Sequence, residues 1–250
     1  MVGLTDREVQ IVELLQEGGE VSVSDLSDTL KVSSVTIRSD LKALESKGII
    51  LRGRGVATSA YHPTFLEKQS SNVEKKESIA KAAAQLVDSG DHIMINNGTT
   101  CALIGRYLLG KRNIHIVSNS TLLFPYVRVN PNIFLTMVGG DFRGSAEAVV
   151  GQIALEQLQK YHVSVAFAGT DGLTVEHGLT THLPENAEIA RQMWHQASKR
   201  VLVADSSKYG KIGFVKILPL DEIDVLVTDS DFPSDAVQVI REMGVHVILA

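Results

Sequence analysis

Residues 32–54 read VSSVTIRSDLKALESKGIILRGR, and the rest of the chain is interpreted outward from them. Ser33 suits a helix N-cap, because its hydroxyl can accept from a free backbone N–H of the first turn. Ile37, Leu41 and Leu44 follow at i, i+4 and i+7, so they share one apolar stripe. Ser34, Thr36, Arg38, Ser39 and Lys42 fall off that stripe. They are small hydroxyls and cations, the groups that hydrogen-bond phosphates and base edges. Gly48 marks the helix stop, since it tolerates the left-handed conformation. Ile49 to Leu51 suit a short strand and Arg52-Gly53-Arg54-Gly55 a cationic turn. The stretch predicts a DNA-recognition helix followed by a wing, with Ser33, Ser34, Thr36, Arg38, Ser39, Lys42, Arg52 and Arg54 as the DNA-binding set.

The chain has 250 residues, is 44% hydrophobic and carries a formal charge of −5. That length is enough for two domains. It has one cysteine, Cys101, so an intrachain disulfide and a cysteine–zinc cluster are excluded. No long apolar run or secretory leader is visible, and a cytoplasmic protein without membrane contact is expected. The net charge argues against a nucleic-acid partner only until its distribution is considered. Residues 1–30 carry Arg7 against seven acids, a net of −6. Residues 31–54 carry six cations against Asp40 and Glu45, a net of +4. Positive charge is thus concentrated on the helix and wing; the alternative is an ordinary mixed surface helix.

Upstream, Thr5-Asp6-Arg7-Glu8 is a capping-box pattern opening a helix with Val9, Ile11, Val12, Leu14 and Leu15 on its apolar face. Gly18-Gly19 ends it, Val21 to Val23 form a strand stub, and Ser24 is the expected cap of a second helix. Three helices and a two-stranded wing make a winged helix-turn-helix. Residues 4–59 resemble the N-terminal domain of the DeoR family of bacterial regulators. The resemblance is carried by Val21 to Leu26, Val32 to Leu41, Leu44-Glu45, Gly48, Leu51-Arg52 and Gly55. Ser39 stands where that family usually has a second arginine, and Gly55-Val56-Ala57 where it usually has two glycines and an alanine. Ser39 removes one phosphate or base contact.

Residues 60–74 are polar with scattered serines and one proline, and suggest a linker on which Phe65 and Leu66 dock locally. From Glu74 a helix is expected, and from His92 onward apolar strands alternate with helices over 75–250. This predicts a larger Rossmann-like α/β domain with a mostly parallel sheet covered on both faces. In such sheets ligands bind beyond the carboxyl ends of the strands. Five successive predicted strands end in Asn96-Asn97-Gly98-Thr99-Thr100, Ser118-Asn119-Ser120, Gly139-Gly140-Asp141-Phe142-Arg143, Gly169-Thr170-Asp171-Gly172 and Asp205-Ser206-Ser207-Lys208. Gly98-Thr99-Thr100 is the phosphate candidate: glycine permits close approach, two hydroxyls donate, and the following helix presents its N–H groups. Arg143 and Lys208 offer cationic partners. Asp171 offers an acceptor for sugar hydroxyls, or else is a turn residue. The expected effector set is Asn97, Gly98, Thr99, Thr100, Asn119, Ser120, Gly140, Arg143, Asp171 and Lys208.

This half also resembles the DeoR family, in its C-terminal effector domain, through Gly98 to Thr100, Asn119-Ser120, Gly139-Gly140, Gly169 to Gly172, Gly178 to Thr181 and Ala204 to Lys208 with Gly210. The resemblance implies a fold similar to ribose-5-phosphate isomerase and a phosphorylated-sugar effector. Asn96-Asn97 replaces the family's usual Asp-Ser, which favours a more anionic ligand or removes a hydroxyl contact. The implied function is a repressor of a carbohydrate-utilisation operon, a homo-oligomer (dimer or tetramer) on a double-stranded DNA operator, with no cofactor and no catalysis. The alternatives are an isomerase-like enzyme using Asp171 and Lys208, or a regulator of an unphosphorylated sugar or nucleotide.

Other residues have plainer readings. His177 and His182 do not share a helix face, and His92, His115 and His246 suit packing beside strands, so no metal site is expected. Cys101 at a helix start is either a thiol with a lowered pKa or a small packing residue. Trp194 suits the core or a subunit contact. Glu185 and Glu188 suit a solvated first turn.

Overall fold

The computed structural model describes residues 4–250, apart from the side chains of residues 16 and 17. It divides into two units, with the boundary between Ser71 and Asn72. The first contains α1 (Asp6–Gly18), β1 (Val21–Ser22), α2 (Val23–Leu30), α3 (Ser34–Ser46), β2 (Ile50–Arg52), β3 (Val56–Ser59) and α4 (Pro63–Ser70). The capping box is formed: Glu8 N–H donates to Thr5 Oγ1 at 3.2 Å and Thr5 N–H to Glu8 Oε2 at 2.7 Å. The α2 cap is Ser22, not Ser24; its hydroxyl accepts from Asp25 N–H and so satisfies a first-turn donor. Ser22 also belongs to β1, which pairs antiparallel with β3, and β3 pairs with β2. Ile11, Val12, Leu15, Leu26, Ile37, Leu41 and Leu44 are all buried, so one face of each of the three helices builds the core. Residues 60–74, read as a linker, hold α4, in which Phe65 and Leu66 are buried and Phe65 lies 5.2 Å from the Tyr61 ring.

The second unit begins with α5 (Val73–Ala84), β4 (His92–Ile95), α6 (Thr99–Tyr107), β5 (Ile114–Ser118), α7 (Phe124–Val127) and β6 (Ile133–Met137). A hairpin follows, β7 (Asp141–Arg143) and β8 (Ala148–Val150), then α8 (Gln152–Leu158) and β9 (Val163–Ala168). The remainder is β10 (Gly172–Thr174), β11 (Gly178–Thr181), α9 (Pro184–His195), β12 (Ala197–Val203), β13 (Val215–Lys216), β14 (Val225–Thr228), α10 (Ser234–Glu242) and β15 (His246–Leu249). Seven strands form a fully parallel sheet in the order β15-β14-β12-β9-β4-β5-β6. Alternate residues feed two cores. Ile93, Val165, Val201 and Val225 pack with α5, α6 and α7; Met94, Ala166, Leu202 and Leu226 pack with α8, α9 and α10. The chain builds β4, β5 and β6 outward, then returns to add β9 on the other side of β4. The reversal lies between β4 and β9.

β13 lies outside this sheet. Val215–Lys216 instead joins β10 and β11 in a small antiparallel sheet, where Thr180 pairs with Lys216. Val150 belongs to the β7–β8 hairpin, paired with Asp141. Gly151, at φ 90°, makes the turn into α8.

Candidate functional site

The first unit presents α3 and the wing as one surface. Ser33 caps α3 as its sequence predicts: Thr36 N–H donates to Ser33 Oγ at 3.2 Å. Gly48 at φ 69° lets the chain leave the helix toward β2. A groove of about 550 Å³ lies between the start of α3 and the wing, lined by Ser24, Ser34, Arg38, Arg52, Gly53 and Gly55 among others. Ser33, Arg38, Ser39, Lys42 and Arg54 are exposed, Ser34 and Thr36 half-buried. Arg52 reaches Glu45 at 3.3 Å.

The back of α3 is held by ions. Arg7 of α1 grips Asp40 with two hydrogen bonds, at 2.5 and 3.0 Å, and Asp40 lies beside Ser39. Glu8, almost fully buried, takes Lys47 Nζ at 2.9 Å; that contact and the Thr5 N–H hold its carboxyl below the usual range. Glu8 and Asp40 therefore tie α1 to α3 and its C-terminal end.

In the second unit the strand-end loops converge because all seven strands are parallel. Asn97 N–H donates to Asn96 Oδ1 at 2.7 Å and to Asn119 Oδ1 at 3.0 Å, joining the ends of β4 and β5. Asn119 Nδ2 donates to the Val149 carbonyl at 3.1 Å, adding β8. Gly98, at φ 129°, leads into α6, whose first-turn N–H groups face this junction. Ser120 is fully buried, and its Oγ has no hydrogen-bond partner among the described residues. Gly140 at φ 143° is required by close approach: a Cβ there would sit 2.5 Å from the Val150 carbonyl oxygen.

Other expected members do different work. Asp171 Oδ2 accepts from Thr181 Oγ1 at 2.7 Å and His182 N–H at 3.1 Å, so it ties together the open end of the β10–β11 hairpin just after β9. Arg143 is exposed on β7 and pairs with Glu185 at 2.7 Å. Glu185, lowered by its own backbone N–H and then by Arg143, is thus half of an ion pair rather than only a solvated first-turn residue. Lys208 is half-buried in a 3-10 turn after β12.

Sequence reading missed the N-terminal end of α5. Lys76 is buried there, one turn before Ile79 and Ala80 on the inward face. Its neighbour Lys75 donates to Ser206 Oγ at 2.8 Å and pairs with Asp229 at 3.0 Å and Asp231 at 2.8 Å. Asn72 Nδ2 donates to Asp205 Oδ1 at 3.0 Å and Ser207 Oγ at 3.2 Å. The signal was present as two adjacent lysines just before an apolar stripe. Burial pushes the Asp229 carboxyl up, but the Ser206 N–H, Lys75 and the Ser206 hydroxyl together outweigh it and hold it low.

Cys101 is a packing residue: it is fully buried, and burial pushes its thiol up to about 12, overriding the helix N-terminus. Trp194 belongs to the core, with Nε1 donating to the Ala166 carbonyl at 3.2 Å. His92 and His115 are not buried against strands but exposed and stacked, 4.8 Å apart. Among the described residues no three His, Cys, Asp or Glu side chains are grouped to hold a metal ion, and no helix is long and apolar enough to cross a membrane.

The two units match two family descriptions. Residues 7–62 match the DeoR-like helix-turn-helix domain and residues 71–230 the DeoR C-terminal sensor domain. The chain belongs to the DeoR family. Among its relatives is the HTH-type transcriptional regulator GlpR of Haloferax volcanii, 34% identical over 97% of this chain and 96% of the relative. Another is the glycerol-3-phosphate regulon repressor of Escherichia coli strain K12, 26% identical over 98% of this chain and 96% of the relative. These DeoR relatives carry the names of transcription regulators, not of enzymes. Among solved structures, ribose 5-phosphate isomerase A of Methanocaldococcus jannaschii aligns over 56% of this chain and 55% of its own, at 22% identity and TM-score 0.40.

Proposed function

We propose that this DeoR-family chain is a repressor of a carbohydrate-utilisation operon, released from double-stranded DNA by a phosphorylated sugar, and that it works in the cytoplasm. Residues 4–59 are the reader, 60–74 the connection and 75–250 the sensor. The reader uses Ser33, Ser34, Thr36, Arg38, Ser39, Lys42, Arg52 and Arg54: cations anchor phosphates and hydroxyls reach base edges. Helix-turn-helix readers take two half-sites, so a two-fold homo-oligomer holds the reader in place.

The observation that carries the sensor reading is the junction of Asn97, Gly98, Thr99, Thr100, Asn119 and Ser120 beside the sheet's reversal. There, the first-turn N–H groups of α6, the hydroxyls of Thr99 and Thr100 and the unpartnered buried hydroxyl of Ser120 stand at the carboxyl ends of neighbouring strands. A phosphate accepts from all of them. Gly140 shapes the floor, Asp171 orders a wall, and Lys208 and Arg143, the latter shared with Glu185, are the cations a phosphate draws on. A regulator relative named for a glycerol-3-phosphate regulon supports the phosphate.

The test is thermal shift of the full chain against sugar phosphates and their unphosphorylated counterparts. Stabilisation confined to phosphorylated compounds is expected, and stabilisation by neutral sugars alone would refute the phosphate. Ser120→Ala sharpens it. Removing an unpartnered buried hydroxyl leaves the unliganded protein as stable as before, while the ligand-induced shift shrinks.

A further inference from the structure

α3 turns one face to the core and the other to solvent. Ile37, Leu41 and Leu44 are buried, while Val35, Arg38, Ser39 and Lys42 are exposed. At ~100° per residue, Val35 lies about 20° from Lys42, about 40° from Ser39 and about 60° from Arg38 around the helix axis, and about 180° from Leu44. An apolar side chain thus stands in the middle of the polar stripe assigned to DNA. Val35 is 72% exposed, more than any other large apolar side chain among the described residues of the first unit.

Stability does not call for a valine there. A β-branched side chain is a poorer helix former than alanine or lysine, and an exposed one gains little from packing. Position does account for it. Val35 is the second residue of α3, and the N-terminal residues of a recognition helix meet base edges in the major groove. Its neighbour Ser34 and, one turn on, Arg38 line the groove against the wing. Ser39 keeps Val35 open. Helical side chains lean toward the N-terminus, so residue 39 reaches over residue 35, and a serine is too short to cover it.

We propose that Val35 is a specificity-determining residue of the reader, and that it packs on the 5-methyl group of a thymine in the major groove. The proposal rests on the reading of α3 as the recognition helix and adds a base to it. The chemistry of the groove selects the occupant. Base edges there present hydrogen-bond donors and acceptors, which a valine cannot satisfy, and one methyl group, that of thymine. Against the methyl group Val35 buries apolar surface on both sides. Against a donor or acceptor it displaces water and offers nothing in return, so the same side chain disfavours the other bases. Arg38, Ser39 and Lys42 around it supply the polar contacts that hold the helix in register.

Fluorescence anisotropy tests this with the full chain, on the duplex that the wild type selects from a random synthetic pool. Each thymine is replaced in turn by deoxyuridine, which keeps the hydrogen-bonding edge and deletes only the methyl group. At one thymine of each half-site the wild type is expected to lose about fourfold in affinity, the worth of one buried methyl group. Val35→Ser, at an exposed position, should keep the fold by circular dichroism, and its thymine-to-deoxyuridine ratio at that position should fall to near one. A selected site with no preferred thymine, or a wild type indifferent to every deoxyuridine, would overturn the proposal and leave Val35 to a protein partner. A deoxyuridine loss as large in Val35→Ser as in the wild type would assign the methyl group to another residue and overturn it equally. Selection that yields no sequence at all would overturn the recognition-helix reading itself.

Discussion

Replacing Arg38 by alanine tests the reader most directly. Arg38, Lys42 and Arg54 are exposed cations of the first unit, while Arg52 spends part of its charge on Glu45 at 3.3 Å. If each of the three neutralises one phosphate, each contributes about 0.9 to the slope of log affinity against log salt. One reader then gives a slope of about −2.7, and two readers on two half-sites about −5.4. Doubling the salt should weaken wild-type binding roughly 40-fold. Arg38→Ala removes one contact per copy, so the slope should fall to about −3.6 and the same doubling should cost only about 12-fold. The assay is fluorescence anisotropy on a duplex selected by the wild-type protein from a random pool, titrated at several salt concentrations. A smaller slope change with relaxed base preference would move Arg38 from phosphate to base edge. Unchanged slope and unchanged affinity would refute the assignment of α3 as the recognition helix.

Three further outcomes follow from the geometry. Gly140→Ala should cost about 2 kcal/mol or more in urea unfolding, because a Cβ would meet the Val150 carbonyl oxygen at 2.5 Å and the backbone sits at φ 143°; an unchanged midpoint would contradict that contact. The Glu8–Lys47 pair stabilises the first unit above the ordinary glutamate value near 4.5 and is lost as pH falls through the lowered folded value. Lys47→Met should therefore cost about 1 kcal/mol at neutral pH and flatten the acid limb of the stability profile, and an acid limb identical to wild type would exclude the pair. Lys75→Met leaves buried Asp229 without its cation and should cost about 1–3 kcal/mol, with part recovered in Lys75→Met/Asp229→Asn; no recovery would place the damage elsewhere.

The sequence by itself determined the reader. Its signals are local: a serine cap, an apolar stripe at helical spacing, a glycine stop and a run of cations, all within 23 residues. Such features act through bonds along one helix, so a linear reading suffices. The α2 cap falls at Ser22 rather than Ser24, and the spacing itself holds the reason: an acid, Asp25, stands three residues after Ser22, whereas Ser27 stands three after Ser24. The alternation of strands and helices in the sensor was legible for the same reason, as were the polar loops that end the strands.

What only the tertiary structure decided was order and partnership. Nothing in the spacing of β4, β5, β6 and β9 says that the first and fourth strands are neighbours. That adjacency puts the sheet's reversal beside Asn97 to Thr100 and so selects, among five polar loops, the ones that meet. The same non-local step exposed Arg143 in a pair with Glu185, gave Asp171 to the open end of a hairpin, and brought Lys75 more than 130 residues along the chain to Ser206. A charge in sequence is only a capacity for interaction. Whether it faces a ligand, an acid or water depends on which strand lies next to it, and strand pairing is a long-range choice made by burying both faces of the sheet at once.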